Sequence, residues 1–141
     1  MTYINAALRR AVIERADNCC EYCLVSQEDR QLPYEIDHII AEKHRGSTTQ
    51  DNLCWSCYFC NSLKGSDISS VDWDFSDNII PLFNPRRQRW SEHFQLIGAH
   101  IEPLTAEGRV TVFLLRLNDA ERLVERELLI QLDRYPCTTN T

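Results

Sequence analysis

Leu8, Val12 and Ile13, with Ala7, Ala11 and Ala16, recur at helical spacing between Asn5 and Ala16, and Asp17-Asn18 ends that helix. After Pro33, the run Tyr34-Glu35-Ile36-Asp37-His38-Ile39-Ile40 is rich in β-favouring residues and partly alternates, which predicts a strand. The stretch His44 to Asp51 is polar and holds the turn residue Gly46, so it reads as a loop. Asn52 to Trp55 reads as a short return strand. Cys57 to about Lys64 predicts a helix stopped by Gly65.

Beyond Gly65 the texture changes. Ser66 to Asn78 is polar and acidic, with Trp73 and Phe75, and reads as an irregular connection. Ile79 to Phe83 predicts a strand, and His93 to Glu102 a hairpin around Gly98. Thr105 is placed to cap a helix running through Val110, Phe113 and Leu114 to Leu117. Asn118-Asp119-Ala120-Glu121 has the form of a capping box with an Asn cap. Leu123, Val124, Leu128, Leu129 and Leu132 then recur at helical spacing, giving a helix from Asp119 to about Asp133. No internal repeat or Pro/Gly/Ser-rich linker divides the 141 residues, so a single domain, 1–141, is expected.

Composition narrows the function classes. Hydrophobic residues make up 43% and charged residues 26%, ordinary globular usage. No apolar stretch approaches a membrane span. The first residues show no basic region followed by an apolar core, so a cytoplasmic protein is expected. A net charge of -6 argues against sequence-blind coating of DNA, which needs a basic surface. A local basic strip can coexist with that balance, and Arg86, Arg87 and Arg89 form the densest one. They are expected to contact phosphates, against the alternative of a solvated loop.

Seven cysteines are many for an unsecreted chain, and a reducing compartment disfavours disulfides. Cys20-Glu21-Tyr22-Cys23 and Cys57-Tyr58-Phe59-Cys60 are two C-x-x-C pairs, which together suit a tetrahedral four-cysteine Zn²⁺ site. Registers using Cys19 or Cys54 are available, but the two C-x-x-C pairs are the simpler solution. Trp55, Tyr58 and Phe59 are expected to form core around that zinc.

The segment between the pairs holds more than a zinc module requires. Asp37 and Asn61 offer hard oxygen ligands suited to Mg²⁺ or Mn²⁺. His38 offers an imidazole, the side chain best suited to general base work near neutral pH. Lys64, about one helical turn after Asn61, is a candidate phosphate contact. His44 is either a phosphate contact or an exposed loop histidine.

Glu35-Ile36-Asp37-His38-Ile39-Ile40, then Asp51-Asn52-Leu53, then Cys57 to Gly65 resembles an HNH endonuclease of the variant with Asn at the third signature position. Cys20 to Cys23 resembles the first zinc knuckle of that group. The core resemblance runs from residue 15 to 67. Pro81 to Arg86 and Leu104 to Val110 further resemble small stand-alone bacterial, often cyanobacterial, members. The resemblance implies an α+β fold with a ββα-metal, treble-clef-like core, an N-terminal helix, and a strand and helix extension over 68–141 packed on that core.

Carried over residue by residue, it implies that His38 deprotonates the attacking water and that Asp37 and Asn61 hold one Mg²⁺ or Mn²⁺. Asn52 would tie the loop by side-chain hydrogen bonds, and Cys20, Cys23, Cys57 and Cys60 would bind structural zinc. The implied partner is DNA, and no membrane. One such site per chain cuts a duplex through two chains or two visits, and a homodimer is one route to double-strand cleavage. The competing reading is a catalytically inactive, zinc-stabilised DNA- or protein-binding module.

Overall fold

The computed structural model describes residues 2–137 and has α+β architecture built on three separate two-stranded antiparallel sheets. Helix α1 (Ala6–Arg15) starts where the Asn5 side chain accepts from Leu8 N–H at 2.8 Å, satisfying one of the free first-turn donors. It ends at Asp17 and Asn18, both in the left-handed region, and packs on β2. Strand β1 (Glu35–His38) pairs with β2 (Leu53–Ser56) in the register Glu35↔Ser56, Ile36↔Trp55, Asp37↔Cys54 and His38↔Leu53. All of β2 is buried. Helix α2 (Tyr58–Lys64) follows at once, capped by the Cys57 sulfur accepting from Cys60 N–H and stopped by Gly65 at φ 51°. Together, β1, β2 and α2 form the expected ββα unit.

The second half lays shorter elements around this unit. Strands β3 (Ser69–Val71) and β4 (Ile79–Pro81) pair, so the polar stretch read as irregular contains a strand. Its residues Ser69-Ser70-Val71 are all half-buried and carry too short an apolar signal to stand out. A one-turn helix, α3 (Trp90–His93), precedes the hairpin of β5 (Phe94–Ile97) and β6 (His100–Pro103) around Gly98. Helix α4 (Ala106–Leu114) is capped by Thr105, whose hydroxyl accepts from Gly108 N–H at 3.1 Å.

Helix α5 (Ala120–Gln131) is present without the capping box. Asp119 occupies the cap position with no side-chain cap bond, because Asn118 is engaged elsewhere: its Oδ1 accepts from Ile101 N–H and its Nδ2 donates to Ile101 O. The buried face of α5 differs from the apolar stripe as well. Val124, Leu128 and Leu132 are exposed, whereas Arg122 and Arg126 are buried. Arg126 donates to Ala99 O at 2.8 Å and Leu117 O at 2.7 Å, so backbone carbonyls supply acceptors for its guanidinium inside the core.

One core runs through both halves, with Val12, Tyr22, Val25, Tyr34, Leu53, Phe83, Phe94 and Leu117 in contact. Trp90 Nε1 donates to Tyr22 O and Tyr135 Oη to Cys23 O, each at 2.8 Å, tying the later segments to the first cysteine knuckle. Contrary to the expectation of free thiols, Cys19 and Cys137 form a disulfide, their Cα atoms 5.9 Å apart. Local packing brings these two sulfurs together, and spacing along the chain carries no trace of it. No helix among the described residues is long and apolar enough to cross a membrane.

Candidate active site and metal centre

The sulfurs of Cys20, Cys23, Cys57 and Cys60 lie within 4.8 Å of one another and all four residues are buried. Each knuckle is closed by backbone N–H groups pointing at sulfur, Cys23 N to Cys20 Sγ at 3.5 Å and Cys60 N to Cys57 Sγ at 3.3 Å. Such donors favour thiolates, and four soft ligands in this cluster fit a tetrahedral Zn²⁺. Arg122, reaching in from α5, places Nη2 3.0 Å from Cys60 Sγ and donates to Leu115 O at 2.7 Å. The alternative registers fall away. Cys19 is bonded to Cys137, and Cys54 faces Tyr22 Oη and Asp37 Oδ2. Trp55 is core as expected, but Tyr58 and Phe59 are exposed on the first turn of α2.

On another face, Asp37, His38 and Asn61 line one open cleft of about 790 Å³. β1 supplies the first two and α2 the third, while Thr2, Tyr3, Glu42 and Arg9 complete the walls. His38 Nε2 is engaged by Thr48 Oγ1 at 2.9 Å and Glu42 Oε1 at 3.3 Å. Hydrogen bonds from Thr2 hold the Glu42 carboxyl below its ordinary value, so it is an anionic acceptor for Nε2–H. Nδ1 has no hydrogen-bond partner among the described residues, so the tautomer with its proton on Nε2 would offer a lone pair there. Glu42 and Thr48 are participants that sequence reasoning missed. Glu42 sits at i+4 from His38, and that spacing was the available signal.

Asp37 is buried, and burial pushes its carboxyl up from the ordinary value while Lys64 pulls it down. Lys64 Nζ lies 2.9 Å from Asp37 Oδ2 and donates to His38 O at 3.2 Å. Lys64 is 1% exposed, which overturns its reading as a phosphate contact: the ammonium is enclosed and its charge is met by Asp37. Asp37 Oδ1 and the Asn61 side-chain amide have no hydrogen-bond partner among the described residues. These oxygens on the walls of one cleft suit a hard divalent cation.

Asn52 is buried and makes three side-chain bonds, accepting from Ile40 N–H at 2.9 Å and donating to Ile40 O at 2.9 Å and Ser47 O at 2.8 Å. They fasten both ends of the loop that follows β1. Gly46 makes that closure fit, since a Cβ there would stand 1.6 Å from Ile40 O and 2.8 Å from Asn52 Nδ2. Gly46→Ala is therefore expected to lower stability by roughly 1–3 kcal/mol as the loop shifts away. Thermal unfolding reads this directly, and an unchanged midpoint would show that the loop yields without cost.

The remaining predicted contacts scatter. His44 is exposed but does not line the cleft. Arg86 turns inward to pair with Glu21, so the basic strip presents only Arg87 and Arg89 as exposed cations. The strip fails as a unit because Glu21, within the first knuckle, matches one of its three charges.

Compared with known proteins, residues 20–67 match the family HNH endonuclease. That segment contains the four-cysteine cluster, Asp37, His38, Asn52 and Asn61. A curated relative, Septu protein PtuB of Bacillus thuringiensis, is 26% identical over 125 residues, which cover 87% of this chain and 46% of the relative. The chain thus spans about half the length of that relative. No solved structure matches significantly.

Proposed function

We propose, starting from the HNH endonuclease domain at residues 20–67, that this chain is a metal-dependent nuclease hydrolysing phosphodiester bonds in DNA. The observation that carries the reading is the convergence of Asp37, His38 and Asn61 on one open cleft, apart from the buried thiol cluster. His38 acts as general base through Nδ1, with Nε2 oriented by Glu42 and Thr48. Asp37 and Asn61 hold Mg²⁺ or Mn²⁺, which when bound stabilises negative charge on the scissile phosphate. Lys64 fixes the Asp37 carboxylate and the His38 carbonyl, and so positions both residues at the end of β1. Asn52 holds the following loop in register and does not touch substrate. Zinc on Cys20, Cys23, Cys57 and Cys60 is structural.

In this reading residues 15–67 form the catalytic core and 68–141 an extension packed on it within a single domain. Arg87 and Arg89 meet backbone phosphates, and the exposed His44 is a further candidate contact. One site per chain makes nicking the elementary event, and a homodimer is one arrangement that would give double-strand cuts.

The Lys64–Asp37 ion pair favours a second reading, in which Asp37 is a structural anion and the domain only binds DNA or protein. Supercoiled plasmid incubated with Mg²⁺, Mn²⁺ or Zn²⁺ separates the two. Relaxation that stops with chelator and resumes on readdition of Mg²⁺ or Mn²⁺ is expected. No product on duplex, single-stranded or branched DNA with any metal would leave the binding module as the better reading.

A further inference from the structure

We infer that Arg9 is a phosphate-binding residue of this cleft, an assignment that rests on the nuclease reading above. Arg9 is exposed on α1 and lines the cleft together with Asp37, His38 and Asn61. Its guanidinium carbon lies 5.5 Å from the centre of the Trp55 ring, and it makes no ion pair or hydrogen bond among the described residues. Stacking on an aromatic face orients a guanidinium while leaving its N–H donors available, which suits it to a phosphate oxygen pair.

The platform is itself fixed. Trp55 is buried in β2, its Nε1 donates to Asn18 Oδ1 at 3.1 Å, and its backbone N–H donates to Glu21 Oε2 at 2.8 Å. Tyr34 packs against the same ring, with centroids 5.8 Å apart. Arg9, on α1, is thus stacked against a residue of β2, whose hairpin partner, β1, carries Asp37 and His38.

Charge balance makes the assignment specific. The cleft walls carry three carboxylates, Glu35, Asp37 and Glu42, which draw a cation but repel a phosphodiester. Lys64 is committed to Asp37. Elsewhere Arg15 donates to the carbonyls of Gln50 and Leu53, Arg86 pairs with Glu21, and Arg122 meets the thiol cluster. Arg9 is the uncompensated cation among the residues that line the cleft with His38.

The test is duplex DNA binding by fluorescence anisotropy across about 50–200 mM salt, in the cleavage-silent His38→Ala background, alongside plasmid nicking by the parent chain. Arg9→Gln is expected to reduce affinity roughly tenfold and the salt slope by about one, with nicking reduced in proportion. Arg10→Gln, the next residue on α1 and not a cleft-lining one, should match its parent. Arg9→Lys should keep the slope, since it keeps the charge, while losing part of the affinity that stacking supplies. Salt slope is a property that a merely structural role would not move. Equal slopes and nicking for Arg9→Gln and Arg10→Gln would overturn the assignment alone. A parent chain that neither binds nor cuts DNA would overturn the nuclease reading and this assignment together.

Discussion

His38→Ala is expected to lower plasmid cleavage by roughly 10²–10⁴-fold, the usual contribution of a positioned general base. The side chain is half-buried at the end of β1, and its removal breaks contacts with Thr48 and Glu42 only. Both partners keep other support: Glu42 still accepts from Thr2, and the loop still hangs on Asn52. The Lys64 bond to the residue at position 38 uses the backbone carbonyl, which the substitution leaves in place. Fold, zinc content and DNA affinity should therefore match the parent while the chemical step fails. Circular dichroism, metal analysis and anisotropy measure the first three, and single-turnover nicking measures the last. Cleavage retained within a few-fold would mean that another group takes the proton and that the His38 assignment is wrong.

Cys57→Ser should have the larger structural effect, with loss of zinc and general unfolding. Cys57 carries two roles, as a member of the thiol cluster and as the cap of α2. Serine is an excellent helix cap, so the substitution preserves the second role and isolates the first. Structural zinc contributes apparent binding energies of roughly 10–16 kcal/mol in small zinc modules, comparable to the roughly 5–15 kcal/mol by which a whole domain is stable. The parent should purify with about one Zn²⁺ per chain without added metal. Cys54→Ser, at a buried thiol outside the cluster, is the matched comparison and should retain zinc and fold. Full zinc occupancy and an unshifted melting midpoint in Cys57→Ser would refute the four-sulfur centre.

The ββα core was legible because each of its elements is written locally. The Pro33 boundary, Gly65 and the two cysteine pairs all act within a few residues of where they stand. The extension was legible in outline for the same reason: Thr105 caps α4 as its sequence context predicts. What escaped were partnerships between distant residues. Lys64 reads as a candidate phosphate contact until the hairpin sets Asp37 against it. Arg86 reads as part of a basic strip until Glu21 meets it from the far knuckle. Helical period identified α5 but not its inner face. There two arginines, hydrogen-bonded to carbonyls and sulfur, are buried in preference to Val124, Leu128 and Leu132. Periodicity counts apolar side chains and is blind to a guanidinium that finds acceptors inside for most of its donors.

Arg122 also bears on how short a working version of this protein can be. A divalent ion held by four thiolates keeps a net charge of about −2, which a buried site must offset nearby. Arg122 Nη2, 3.0 Å from Cys60 Sγ, brings one positive charge to that centre, and Arg30 anchors the same helix by a bidentate pair with Glu125. A chain truncated before Ala120 would retain the four clustered sulfurs and both walls of the cleft, yet it would lose the Arg122 charge and, with Cys137, the disulfide to Cys19. The stretch that matches the family by sequence, 20–67, is therefore smaller than the stretch that is electrostatically complete.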